Sequence, residues 1–101
     1  MSGYRLSPRA QADLEDIWDY TVDRWGGGQA ERYVRDIYLA VEYLAVESLV
    51  AAPGLARSCD DIRRGYWKYP VGSHVIFFRR YPYGIDVVRI LHSRMDFERH
   101  L

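Results

Sequence analysis

Tyr66-Trp67-Lys68-Tyr69-Pro70-Val71-Gly72-Ser73-His74-Val75-Ile76-Phe77-Phe78-Arg79-Arg80, then the corner Pro82-Tyr83-Gly84, then Ile85-Asp86-Val87-Val88-Arg89-Ile90-Leu91-His92-Ser93-Arg94-Met95-Asp96, is the stretch that decides the fold. It is dense in β-branched and aromatic residues and is broken at Gly- and Pro-bearing corners. It therefore predicts three strands, 66–71, 74–80 and 85–92, paired in sequence as a meander. Alternation along 74–80 sets Val75 and Phe77 against His74, Ile76 and Phe78. Along 85–92 it sets Ile85, Val87 and Leu91 against Val88 and Ile90. Both faces are then apolar, and both need a cover. Two helices can cover one. A partner, the chain's own tail or its own aromatics must cover the other, which hints at a binding surface.

Upstream, Tyr4-Arg5-Leu6 reads as a short first strand. Ser7-Pro8 is a helix start, because Ser can cap free amides and Pro suits the first helical position. Leu14, Ile17, Trp18, Thr21, Val22 and Trp25 recur at helical spacing, so the expectation places Trp18 and Trp25 in the core. Gly26-Gly27-Gly28 is expected to end this helix. Ala30, Tyr33, Val34, Ile37, Val41, Leu44 and Ala45 predict a second helix, closed by Pro53-Gly54. The short connection makes an antiparallel helical hairpin. Residues 55–65 read as irregular. The fold class is α+β: a short N-terminal strand, then a helical hairpin packed on a small, mainly antiparallel sheet.

At 101 residues, nearly half of them apolar, the chain reads as one globular domain, 1–101. Its apolar runs fall far short of the ~20 residues of a membrane span. No signal peptide is visible, and Cys59 is the only cysteine, which excludes an internal disulfide or a cysteine-based zinc site. A cytoplasmic location is expected. The formal net charge is zero, but it is segregated. Residues 1–56 carry five Arg against nine acids, a net of −4; residues 57–101 carry eight Arg and Lys68 against five acids, a net of +4. A basic C-terminal half suits an acidic protein segment or a phosphate backbone.

Ribonuclease chemistry needs a general base, a general acid and a cation for the phosphate. His74, His92 and His100 with Arg79, Arg89 and Arg94 offer those residue types, but no acid–base pair is forced together by spacing. His74, His92 and His100 also lack metal-ligand spacing. The glycine triplet lacks the Lys-Ser/Thr of a nucleotide loop. Tyr66, Trp67, Tyr69, Phe77, Phe78, Tyr81 and Tyr83 beside Arg79 and Arg80 could stack on bases, yet cross-strand packing accounts for most of them.

Several segments together resemble the ParE toxin family of type II toxin–antitoxin modules, within the RelE/ParE superfamily. They are Tyr4-Arg5-Leu6-Ser7-Pro8-Arg9-Ala10, Asp13-Leu14-Glu15-Asp16-Ile17-Trp18-Asp19-Tyr20, Arg24-Trp25-Gly26, Gln29-Ala30-Glu31-Arg32-Tyr33, Asp61-Ile62-Arg63-Arg64-Gly65-Tyr66, and the strand stretches 72–79 and 88–96. The resemblance implies a helical hairpin on a small antiparallel sheet, in agreement with the element order. It implies a toxin neutralised by a ParD-like antitoxin and acting on DNA gyrase by binding, with no catalytic residue, metal or cofactor, and with no specific nucleic-acid binding of its own. The resemblance places the C-terminal tail among the parts implicated in toxicity. Arg89, His92, Arg94 and Arg99 are therefore the candidate target-binding residues, and the antitoxin-binding residues stay unassigned. The alternatives are a ribosome-dependent messenger-RNA endonuclease of the RelE type and a decayed module that still binds its antitoxin.

Overall fold

The computed structural model describes residues 3–47 and 54–101. Strand β1 (Gly3–Leu6) leads into helix α1 (Pro8–Trp25) and helix α2 (Gly27–Glu47), followed by β2 (Arg57–Ser58), β3 (Trp67–Val71), β4 (His74–Tyr81), β5 (Gly84–His92) and the short α3 (Phe97–His100). The sheet order is β1-β5-β4-β3-β2. The meander β3–β4–β5 is antiparallel, as expected, while β1 pairs parallel to β5 with Gly3 opposite Gly84 and Leu6 opposite Val87. Two-residue β2, in a segment expected to be irregular, closes the far edge on β3.

Local chemistry sets the helix ends. Ser7 Oγ accepts the Ala10 N–H at 3.0 Å and donates to the Val88 carbonyl at 2.7 Å. The cap thus starts α1 and moors it to β5. Gly26 donates its N–H to Val22 O and ends α1 with φ +92° and ψ 168°, outside the left-handed helical cap but at a positive φ that favours glycine. The next helix begins at Gly27, so Gly26 alone is the hinge and the other two glycines of the triplet are already helical. Glu47 is the last residue of α2; of the expected stop Pro53-Gly54, Pro53 lies outside the described residues.

One glycine is dictated by the parallel pairing. A Cβ at Gly84, whose φ is +152°, would stand 1.7 Å from the Gly3 carbonyl oxygen, so only glycine lets β1 lie against the start of β5.

The sheet carries a core on each face. On the helical side, Ala10, Leu14 and Ile17 of α1 and Ile37, Val41 and Leu44 of α2 meet Ile76, Phe78, Ile85, Val87 and Ile90. On the other side Val75, Phe77 and Leu91 pack with the buried thiol Cys59. That face is covered by the chain itself, through Ile62, Tyr66, Phe97 and Leu101. The Phe97 ring stands edge-on to Phe77 at 4.7 Å between centroids.

Two expectations are corrected. The alternation proposed for 85–92 fails because β5 carries a bulge: Arg89 faces Phe77 but Val87 faces Phe78, leaving Val88 as the extra residue. Ile85, Val87 and Ile90 therefore share the helix-facing core, and Leu91 lies opposite. Strict alternation would have set Arg89 beside Val87 in that core. The second correction concerns α1, where Trp18 is 40% and Trp25 68% exposed. The buried line of α1 is Ala10, Leu14, Ile17 and Thr21. Trp18, Val22 and Trp25 follow the same helical spacing one flank over, outside the stripe a single packed face can bury.

Candidate functional site

The four residues singled out by sequence separate into two kinds. Arg89 is turned inward. Its Nε and Nη2 grip the two carboxylate oxygens of Asp13, both at 2.8 Å, and its Nη1 donates to the His100 carbonyl at 3.2 Å. The Asp13 carboxylate also accepts the Ile90 N–H at 2.9 Å. β1 pairs with β5 only as far as Val87, so beyond the bulge a carboxylate from α1 takes an amide that a neighbouring strand would otherwise satisfy. The forked pair holds the Arg89 guanidinium above its ordinary pKa, chiefly through the hydrogen bonds to Asp13. Arg94 and Arg99, by contrast, are exposed on the tail, in the turn after β5 and on α3.

His92 ends β5 and pairs across the sheet with His74, ring edge to ring at 5.3 Å. Its Nδ1 accepts the Arg94 N–H at 3.1 Å. His74 is fixed from α2. Its Nδ1 lies 2.6 Å from the Tyr33 hydroxyl, which also accepts the Ser73 N–H at 3.0 Å and lies 3.3 Å from the Val71 carbonyl. The intervening turn fits closely around this hydroxyl: a Cβ at Gly72, φ +56°, would meet the Tyr33 ring at 2.6 Å. Burial holds the His74 imidazole below the usual histidine range, the neighbouring His92 lowers it further, and Asp13 opposes both. Burial likewise pushes the Tyr33 hydroxyl up.

These groups border a groove between the helical hairpin and the tips of β4 and β5. One part, about 350 Å³, reaches Arg24, Trp25, Gln29, Tyr33 and Ser73. The other, about 400 Å³, reaches Asp13, Asp16, Arg89 and Met95. Tyr20, His74 and His92 line both. Sequence reading missed Tyr33, Tyr20 and Arg24. Tyr33 was counted as one apolar position of a helix face, and only its hydroxyl hinted at more.

The remaining arginines divide in the same way. Arg80 pairs with the buried Glu47 at 2.9 Å and lies 3.9 Å above the Trp67 ring, whereas Arg79 is exposed near Tyr66 and Tyr81. The segregated charge is thus partly consumed within the fold, because Arg89–Asp13 and Arg80–Glu47 each tie the basic half to the acidic one. Phe77 and Phe78 are fully buried, which removes them from any base-stacking surface. Apolar side chains remain exposed on the helices: Trp18, Val22 and Trp25 on α1, and Leu39, Tyr43 and Val46 on α2. Among the described residues no helix is long and apolar enough to cross a membrane.

The fold and sequence have clear relatives. Residues 4–97 match the model of the ParE toxin of type II toxin–antitoxin systems, parDE. Toxin ParE1 of Mycobacterium tuberculosis is 52% identical over 101 residues, spanning 99% of this chain and 98% of the relative. Toxin ParE1 of Caulobacter vibrioides is 40% identical over 101 residues, 100% of this chain and 99% of the relative. A solved chain described as the chromosomal ParDE TA system from P. aeruginosa superposes with a TM-score of 0.74 at 26% identity, covering 91% of this chain and 96% of that one. With a helical hairpin on a five-stranded sheet and a match running from β1 to the start of α3, this chain belongs to the ParE toxin family of type II toxin–antitoxin systems.

Proposed function

We propose that this chain is the toxin of a ParDE pair, acting in the cytoplasm as one domain, neutralised by a ParD-like antitoxin and inhibiting DNA gyrase by binding rather than by catalysis. The observation that carries the reading is the end-to-end match to ParE toxins, supported by a solved relative described as a ParDE system. The antitoxin takes the apolar positions the fold leaves outside, Trp18, Val22 and Trp25 on α1 with Leu39, Tyr43 and Val46 on α2. Its acidic stretches suit the exposed basic residues Arg57, Arg63, Arg64 and Arg79 of the sheet half. Such a segment orders as it binds, burying on the order of 1,000–3,000 Å². The target-facing end is the tail that follows His92, where Arg94 and Arg99 stand in solvent, and Arg89 holds that tail in place through the His100 carbonyl.

Binding in place of catalysis is supported by where the cations and imidazoles go. Arg89 is committed to Asp13, and the Nδ1 atoms of His74 and His92 are engaged by the Tyr33 hydroxyl and the Arg94 N–H. Supercoiling by purified gyrase, measured with the toxin and then with added antitoxin, tests the reading alongside transcript cleavage on ribosomes. Loss of supercoiling that the antitoxin restores is expected. Ribosome-dependent cleavage that vanishes in His92→Ala, with supercoiling untouched, would put the chain in the endonuclease class instead.

A further inference from the structure

The part of the groove against Arg24 has a lining unlike the rest of the acidic N-terminal half. Among the described residues no carboxylate lines it, although α1 carries Glu15, Asp16, Asp19 and Asp23 nearby in sequence. It offers instead a guanidinium from Arg24, the amide of Gln29, the ring and hydroxyl of Tyr20 and two imidazoles. Its aromatic rim is open, with Tyr20 60% and Trp25 68% exposed, and the Arg24 guanidinium lies 5.5 Å from the centre of the Tyr20 ring.

The imidazoles are set in advance. The Tyr33 hydroxyl accepts the Ser73 N–H, so its own proton is free to be given. His74 Nδ1 at 2.6 Å is engaged by that hydroxyl, which also reaches the Val71 carbonyl at 3.3 Å, so Nε2 is the polar atom of the ring left to meet a ligand. His92 Nδ1 accepts the Arg94 N–H, so the His92 proton sits on Nε2. Both rings line the groove with Nδ1 spent inside the protein, and His92 keeps an Nε2–H donor. Donors held by their own hydrogen bonds bind an anion without first being ordered. The charged groups around the two rings are Asp13, Asp16 and Arg24 of α1 and Arg89 of β5, with Tyr20 and Tyr33 as titratable neighbours. Of the two carboxylates, Asp13 is neutralised by Arg89.

We propose that this groove binds a nucleotide unit, with a planar base against Trp25 and Tyr20 and its phosphate against Arg24, the Nε2–H of His92 and the His74 ring beside it. Stacking on an open aromatic ring tolerates any base, because each has a π face. The phosphate supplies the orientation through the guanidinium fork. A cavity of about 350 Å³ lies within the range of small-ligand sites. The inference stands apart from the gyrase reading and is tested on the toxin alone.

The test is a proton NMR titration of the free toxin, reading the histidine ring signals. The probes are AMP, adenosine, inorganic phosphate and a 5′-phosphorylated oligoadenylate in separate arms. AMP is expected to move the ring signals of His74 and His92, to raise the pH at which His74 titrates, and to bind about tenfold more tightly than adenosine or phosphate. Arg24→Ala, at an exposed site that leaves the fold intact, is expected to weaken AMP about tenfold. Trp25→Ala should weaken AMP and leave phosphate unchanged. Tighter binding of the oligonucleotide than of AMP makes the natural source a nucleic-acid end, and equal or weaker binding makes it a free nucleotide. Ring signals that stay still at millimolar AMP would overturn the proposal. So would phosphate binding as tightly as AMP, or AMP affinity unchanged in both Arg24→Ala and Trp25→Ala.

Discussion

Arg89→Ala removes one half of an ion pair whose side chains are 14% and 12% exposed. The Asp13 carboxylate would be left with one backbone donor, the Ile90 N–H at 2.9 Å, and the His100 carbonyl would lose the guanidinium that holds the tail. Breaking a buried pair from one side costs about 3–5 kcal/mol. The remaining Ile90 hydrogen bond and the slight solvent access of Asp13 place this case at the low end, about 3 kcal/mol. For a domain near this size each kcal/mol moves the melting temperature by roughly 4–8 °C, so a fall of at least about 12 °C is expected. Asp13→Ala should fall comparably, because it strands both the guanidinium and the Ile90 amide. The double variant should fall by less than the two single ones together, since each single change already destroys the pair. Thermal melts of the free toxin followed by circular dichroism measure this. The proposed binding to gyrase, measured well below the melts, separates stability from contact. A melting temperature of Arg89→Ala within about 2 °C of the parent, with gyrase binding lost, would refute the structural role. Arg89 would then be a contact residue.

Three further outcomes follow from the packing. Gly84→Ala forces a Cβ onto the Gly3 carbonyl and is expected to detach β1, raising amide exchange of residues 3–6 and lowering the melt, whereas Gly27→Ala, with nothing within 4 Å, should be neutral or stabilising; equal melts for the two variants would contradict the close approach. Removing residues 97–101 should bare Val75, Phe77 and Leu91 and cause aggregation or dye binding, while Arg99→Ala leaves the melt unchanged; a truncated toxin that stays monomeric with the parent melt would show that the tail does not cover this face. His74 titrates below its ordinary range in the folded chain, so the unfolded chain takes up its proton first, and stability should fall as pH drops below the ordinary histidine value. His74→Gln should flatten that part of the stability–pH curve, and an unchanged slope would argue that His74 is not the group responsible.

The order of the main elements was legible because each carries a local signal, whereas two-residue β2 and four-residue α3 have none of their own. Ser7-Pro8 marks a cap wherever it lies, and the spacing of Ile37, Val41 and Leu44 needs no knowledge of what they touch. The faces of β4 were read correctly, with Val75 and Phe77 opposite Ile76 and Phe78, because that strand is regular from His74 to Phe77. The faces of β5 were misread because a bulge has no composition of its own: Val87-Val88-Arg89-Ile90 is equally good as a regular strand. The exposed flank of α1 was misread for a related reason, since spacing identifies a stripe but not its width.

By itself, the sequence determined the α+β class, the hairpin and the meander, which rest on periodicity and on residues near one another in the chain, and it carried the segments that resemble ParE toxins. Only the tertiary structure decided the chemistry of the site. Asp13 and Arg89 are 76 residues apart, and Tyr33 and His74 are 41 apart; neither pairing leaves a trace in local pattern. The bulge at Val88 keeps a charged side chain out of the helix-facing core and puts Ile90 there, at a position where a carboxylate from another element can reach the free amide. A forked ion pair and an oriented imidazole depend on angles and on exclusion of water, and those exist only once helices and sheet have come together.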